Sequence, residues 1–205
     1  IPSEWIYGFA ARSAHKTVIV DESFIEFADM PSVLSLLEGK PLDNVLIIKS
    51  LSKSLGVPGI RLGYAYTCNV ALMAFFRDMI PIWNMNAIAE HYLEIILKHR
   101  NAMKASFVRT AKDRAAFFLR LSECPLVGKV FASSGDFLLL RLKERAPTAE
   151  NLQRDLLSSH SIYVKDVTDK LRDGNQYLRL AVRLPEENER LLAAMAAYTG
   201  GTTAE

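Results

Sequence analysis

The apolar positions change period along the chain, and the changes predict alternating helices and strands. Over residues 4–14, Trp5, Ile6 and Phe9 recur at helical spacing and predict a short helix with all three on one face. Thr17-Val18-Ile19-Val20 is β-branched throughout, the pattern of a strand buried on both faces. Asp21-Glu22 end that run abruptly. Residues 32–37 predict a short amphipathic helix, closed by the turn Glu38-Gly39-Lys40-Pro41. Apolar runs at 44–48 and 62–66 predict two more buried strands. Three strand-like runs separated by helical or loop segments argue for a layered α/β sheet.

The period then becomes helical. Residues 70–78 predict a helix, and Ile80-Pro81-Ile82-Trp83-Asn84-Met85-Asn86 break it. From Ala87 to about Leu121 the pattern predicts one long helix, with Ile88, Tyr92, Ile95, Ile96, Met103 and Phe107 at helical spacing. That length exceeds an ordinary globular helix, so it bridges two domains or kinks near Asn101; Cys124-Pro125 end it. The remainder predicts a smaller α/β unit. Its strands fall at 130–131, 137–142, 162–164 and 177–183, with a helix at 148–159 and a turn at Asp173-Gly174-Asn175. Pro185 opens a last helix over 186–198, ended by Gly200-Gly201 in a tail that frays from Thr199. The expected domains are 1–100, part of a larger one, and 101–205, a smaller C-terminal one, joined by the long helix.

Composition narrows the classes of function. The chain has 205 residues, half of them apolar, enough for a real core, with a net charge of +2 and both signs interspersed. Without a basic block to neutralise a phosphate backbone, nucleic acid is not an expected partner. No apolar run reaches membrane-spanning length and no secretory signal is visible at the start, so a cytoplasmic location is expected. Cys68 and Cys124 are isolated and lack metal-type spacing, and read as buried thiols. His15, His91, His99 and His160 are scattered on polar faces and read as surface residues, so no metal site is expected. The chain opens on Ile1 instead of Met, which leaves open a processed product or a piece of a longer protein.

One stretch carries the chemistry: Ser50-Leu51-Ser52-Lys53-Ser54-Leu55-Gly56-Val57-Pro58-Gly59-Ile60-Arg61-Leu62-Gly63-Tyr64. A lysine and an arginine near buried strand ends are costly without an anion beside them, and hydroxyls alongside add hydrogen bonds to one. The pattern points to a phosphate-bearing ligand with Lys53 at its reactive end, where a desolvated amine can act as a nucleophile. The glycines follow the lysine instead of preceding it, which disfavours a nucleotide-phosphate loop. Asp21, at a strand end, calls for a cationic partner: a protonated pyridine nitrogen, or a nearby Arg or Lys. Arg179 and Arg183 share one face of the predicted strand 177–183 and invite a carboxylate. For Arg183 a structural partner such as Asp136 or Asp166 is an equal alternative.

An aspartate at a strand end, then Ser-x-Ser-Lys, then Gly-x-x-Gly-x-Arg-x-Gly-Tyr resembles fold-type I, class I/II pyridoxal-phosphate aminotransferases. Within them it is most similar to the histidinol-phosphate aminotransferase and threonine-phosphate decarboxylase branch. Val20-Asp21-Glu22-Ser23-Phe24-Ile25-Glu26-Phe27 matches that branch's DEAYIEF/DEAFIDF element, Pro81 to Ala87 its PWxVN segment, and Tyr177 to Val182 its LRIxV strand. The resemblance implies an α/β fold, namely the C-terminal part of a fold-type I transferase: part of the large α/β/α domain plus the small C-terminal domain. It implies pyridoxal 5′-phosphate as cofactor, with Lys53 forming the Schiff base and moving the proton between substrate Cα and cofactor. Asp21 would pair with the pyridinium nitrogen. Ser50, Ser52 and Arg61 would hold the phosphate, Arg179 the substrate α-carboxylate, and Asn86 would approach the substrate side. A small amino-acid substrate and a homodimer are implied likewise.

The chain departs from the family pattern in three ways. Phe24 stands where such aminotransferases usually have a tyrosine whose hydroxyl meets the cofactor ring oxygen, a change that resembles the decarboxylase sub-branch. Asp136 stands where the family often has Asn. The family's N-terminal part, with its phosphate loop and stacking aromatic ring, has no counterpart here, which predicts half a pocket and an exposed sheet edge. The expected activity is transamination of an amino acid or amino-acid phosphate. The alternatives are decarboxylation of an amino-acid phosphate, or a non-catalytic family fragment.

Overall fold

The computed structural model describes residues 1–198. The chain divides into two compact units, Ile1–Ala105 and Ser106–Glu205. In the first, helix α1 (Ser3–Arg12) leads to strand β1 (Val18–Asp21), helix α2 (Leu34–Gly39), strand β2 (Val45–Ser50) and the one-turn helix α3 (Leu51–Ser54). Strand β3 (Gly63–Thr67) and helices α4 (Val70–Met79) and α5 (Ala87–Ile96) follow. The sheet order is β1-β2-β3; β1 runs parallel to β2, and β3 antiparallel to it.

Register decides what this sheet presents. Val18 pairs with Val45 and Val20 with Ile47, and these side chains fall on one face. Ala10, Val33 and Leu37 from the helical segments join Val20, Val45 and Ile47 in one buried cluster. By the same alternation Ile19, Asp21, Ile48 and Ser50 fall on the opposite face. Ile19 is 62% exposed there, and Gly63, Tyr64 and Ala65 of β3 are exposed too. The expectation of burial on both faces therefore fails for β1, and that of a buried strand fails over most of β3. In β1 only the Val18 and Val20 face is packed, and its β-branched run reflects a pleated, half-covered surface; in β3 the exposed positions are Gly63 to Ala65, while Thr67 is buried beside Leu46. Helix α1 differs as well. Trp5 and Phe9 stack on each other at 5.6 Å but stay exposed, while Ser3 and Ala10 are buried.

The helical pattern from residue 87 is interrupted just before Asn101, close to the expected kink, and forms two helices. Helix α5 ends at Ile96, a tight turn spans Leu97–His99, and helix α6 runs Arg100–Glu123. The boundary between the two units falls within α6.

The second unit has strands β4 (Val127–Phe131) and β5 (Phe137–Leu142), helix α7 (Ala149–His160), strand β6 (Lys165–Asp166), helix α8 (Thr168–Leu171), strand β7 (Tyr177–Ala181) and helix α9 (Pro185–Ala196). The sheet order is β4-β5-β7-β6, antiparallel at each pairing. Leu138, Leu140, Leu178 and Leu180 pack with Leu152, Leu156 and Met195 in a core that is almost wholly excluded from solvent. The expected strand at 162–164 does not form. Ile162 N–H donates to Leu156 O at 2.9 Å and Val164 O accepts from the Gln153 side chain at 2.6 Å, so both groups serve the end of α7 instead of a ladder. Pro185 is the first residue of α9, as its fixed φ favours. The expected tail from Thr199 and the Gly200-Gly201 stop lie outside the described residues. Among the described residues, no helix is long and apolar enough to cross a membrane, and no cluster of His, Cys, Asp or Glu could hold a metal ion.

Candidate cofactor site

The parallel pair β1–β2 ends, at its C-terminal side, on Asp21 and Ser50. Ligands collect at such ends in open α/β sheets. Here the uncovered sheet face opens into a cleft of about 420 Å³, lined among others by Asp21, Ser23, Ile48, Ser50, Arg61 and Gly63. The two residues of Asp21-Glu22 separate at this point. Glu22 is buried, and its carboxylate accepts from the Ser32 hydroxyl at 2.6 Å and from Val33 N–H at 2.8 Å, anchoring the entry to α2. Asp21 is exposed toward the cleft. Its Oδ1 accepts two hydrogen bonds from Ser23, from the backbone N–H at 2.9 Å and from the hydroxyl at 2.6 Å.

Directly after Ser50 the chain turns into α3, which carries Ser52 and Lys53. Lys53 is exposed and is in no ion pair among the described residues. Ser52 is buried, and its hydroxyl has no hydrogen-bond partner among the described residues. A buried, unpaired hydroxyl is costly unless something polar meets it. The next turn brings the chain back through Pro58–Ile60 to Arg61. Arg61 is left-handed, at φ 55° and ψ 55°, a conformation that strains a residue with a Cβ and that is concentrated at functional sites. Its Nη1 donates to Pro58 O at 3.1 Å. At Gly63 a side chain is excluded, because a Cβ there would lie 2.7 Å from Lys49 O.

Two contacts from α5 secure this loop. Asn86 caps α5 by accepting from Ala89 N–H at 2.9 Å, and its amide donates to Ile60 O at 3.0 Å. The Tyr92 hydroxyl donates to Leu55 O at 3.1 Å. The expectation for Asn86 is the substrate side of a pocket; its side chain is instead committed to the cap and to the residue before Arg61. Beside the cleft, the Lys49 ammonium pairs with Glu26. Neither the Tyr92 clamp nor the Ser23 bonds is expected from the sequence. Only the Asp-x-Ser spacing of Asp21 and Ser23, which favours a local side-chain turn, signals the latter.

The arginines belong to the second unit. Arg179 sits mid-strand in β7, exposed, with its guanidinium 5.2 Å from the centre of the Phe137 ring. Among the described residues it has no carboxylate partner. Arg183 does not share its strand. β7 stops at Ala181, and Arg183 forms a two-pronged pair with Glu187 of α9, at 3.2 and 2.8 Å. That bond holds the Glu187 carboxyl below its ordinary range and raises Arg183 above its own. The partner is thus neither Asp136 nor Asp166: Arg183 lies beyond the end of β7 and four residues before Glu187.

Residues 6–195 match the family described as aminotransferase class I and II. The chain belongs to that family. It is 35% identical over 190 residues to the CMP-5′-(3-aminopropyl)phosphonate synthase of Streptomyces rubellomurinus, covering 90% of this chain and 29% of that protein. It is 32% identical over 186 residues to the L-serine phosphate decarboxylase of Sulfurospirillum multivorans, covering 87% of this chain and 46% of that protein. The crystal structure of the histidinol-phosphate aminotransferase from Clostridium acetobutylicum superposes with a TM-score of 0.85 at 27% identity, over 95% of this chain and 58% of that one. The chain therefore spans half or less of the curated relatives just named, and its architecture is the C-terminal part of the fold-type I fold.

The cofactor of this family is pyridoxal 5′-phosphate, and the residues present fit it. An anionic group suits the arginine and the hydroxyls, the unpaired Ser52 hydroxyl among them, and a protonated ring nitrogen suits a carboxylate facing the cleft.

Proposed function

We propose that this chain carries the cofactor-binding half of a pyridoxal-phosphate-dependent aminotransferase that acts on an amino acid or amino-acid phosphate. The observation that supports the reading best is the cleft at the β1–β2 ends, which gathers Asp21, Ser50 and Arg61; Lys53 does not line it but follows Ser50 in α3. When bound, the cofactor supplies an electron sink for bond breaking at the substrate Cα. Lys53 would supply the amine that holds the cofactor and, as the free amine, would move a proton at the substrate Cα. Asp21 would hold the proton on the ring nitrogen. Ser50, Ser52 and Arg61 would hold the phosphate, and Arg179 would take the substrate carboxylate through its planar fork. A homodimeric, cytoplasmic enzyme belongs to the same reading and rests on the family alone.

A second reading is decarboxylation of an amino-acid phosphate. Phe24 favours it, because it offers no hydroxyl to the cofactor, and a relative with that activity aligns over most of this chain. Both readings are tested by incubating the full-length protein that carries this sequence with pyridoxal phosphate and a panel of amino acids and amino-acid phosphates. Transamination releases a keto acid and no carbon dioxide, whereas decarboxylation does the reverse. Release of neither, with no cofactor absorbance band that depends on Lys53, overturns both.

A further inference from the structure

Ser23 connects the ends of the two strands, β1 and β2, that line the cleft. Its hydroxyl donates to Asp21 Oδ1 at 2.6 Å, and the same oxygen accepts from Ser50 N–H at 3.0 Å. A hydroxyl has one hydrogen and two lone pairs, so both bonds form together. The Ser23 backbone N–H adds a second bond to Asp21 Oδ1 at 2.9 Å. Asp21 Oδ1 is thereby fixed on the Ser23 side, and Oδ2 accepts no hydrogen bond among the described residues. The backbone of Ser50, the last residue of β2, is tied to that carboxylate through a single oxygen atom. The family element that this stretch resembles has alanine at the position of Ser23, which can form neither side-chain bond.

Resting on the function proposed above, we infer that Ser23 is a positioning residue: it sets the rotation of the Asp21 carboxylate toward the cofactor ring and joins it to the phosphate side at Ser50. Ser23 does no bond-making itself, since its one hydrogen is committed to Asp21. Its effect passes through Asp21. Loss of a hydrogen bond to a charged group weakens cofactor binding by about tenfold or more.

The test is a pyridoxal phosphate titration, followed by absorbance, of the full-length parent, Ser23→Ala, Ser23→Thr, Asp21→Ala and the double variant Asp21→Ala/Ser23→Ala. The expected result is weaker binding in Ser23→Ala, recovery in Ser23→Thr, and no further effect of Ser23→Ala once Asp21 is alanine. Equal affinity in the parent and Ser23→Ala, or the same loss with and without Asp21, overturns the inference. A cofactor-free readout accompanies it: exchange of the Ser50 amide hydrogen speeds up in Ser23→Ala, and an unchanged rate overturns the inference as well. A parent protein that takes up no pyridoxal phosphate defeats the functional reading directly. That outcome is distinct from a parent that binds while Ser23→Ala binds equally well.

Discussion

Gly63→Ala adds one methyl group where the cleft wall is tightest. The new Cβ would lie 2.7 Å from Lys49 O and 3.4 Å from the Ser50 Cα, both backbone atoms of β2. An ordinary carbon–oxygen contact lies near 3.3–3.6 Å, so β2 and β3 must separate by roughly 0.6 Å or more at the Ser50–Gly63 pair. No flexible side chain absorbs the shift. Overpacking of this kind costs about 1–3 kcal/mol. Gly39, by contrast, is the last residue of α2, and a Cβ added there meets nothing within 4 Å, so Gly39→Ala stabilises by about 0.4–1 kcal/mol through the unfolded chain. Urea unfolding followed by circular dichroism measures both, with the slope checked for constancy. The expected result is a lower midpoint for Gly63→Ala and an equal or higher one for Gly39→Ala. Because Gly63 and Ser50 both line the cleft, Gly63→Ala also weakens pyridoxal phosphate binding. An unchanged midpoint together with unchanged binding refutes the argument from close approach.

Two further expectations concern the loop clamp and the second unit. Asn86→Ala removes both the α5 cap and the bond to Ile60 O, at a cost of about 1–2 kcal/mol, whereas Asn86→Asp keeps the cap and loses only the donor; cofactor affinity falls in both if the Ile60 bond sets Arg61, and a drop in Asn86→Ala alone assigns the effect to the cap. The Tyr177 hydroxyl donates to Asp173 Oδ2 at 2.6 Å and holds that carboxyl below the usual aspartate range. A depressed folded pKa stabilises above the unfolded value and is lost as pH falls through the folded one, so Tyr177→Phe flattens the loss of stability below about pH 4 in acid titrations; identical acid profiles for the two proteins would sink the assignment.

How much is legible in the sequence depends on the range of the interaction. Local chemistry is legible: Pro185 at the start of α9 and the hydroxyl–lysine–glycine–arginine order around Lys53. The placing of Asp21 and of Ser50 at strand ends is legible too, because each follows an apolar run; that the two strands are neighbours is not. Burial is not. Ile19 reads as core but is exposed, since periodicity reports which residues can be covered and not what covers them. Spacing alone puts Arg183 on a strand face, and the strand ends two residues earlier. The Asn86 and Tyr92 bonds to the loop span 26 and 37 residues, beyond any local signal. Ser23 lies within a recognised element, yet its role depends on Ser50, 27 residues away.

The most direct measurement of the central claim is chemical trapping. The full-length protein is equilibrated with pyridoxal phosphate, reduced with borohydride, digested and mapped by mass spectrometry. The account predicts a stable pyridoxyl adduct on the peptide that carries Lys53, absent from Lys53→Ala. An adduct on Lys49 or another lysine with Lys53 unmodified, or no adduct at all, would contradict it.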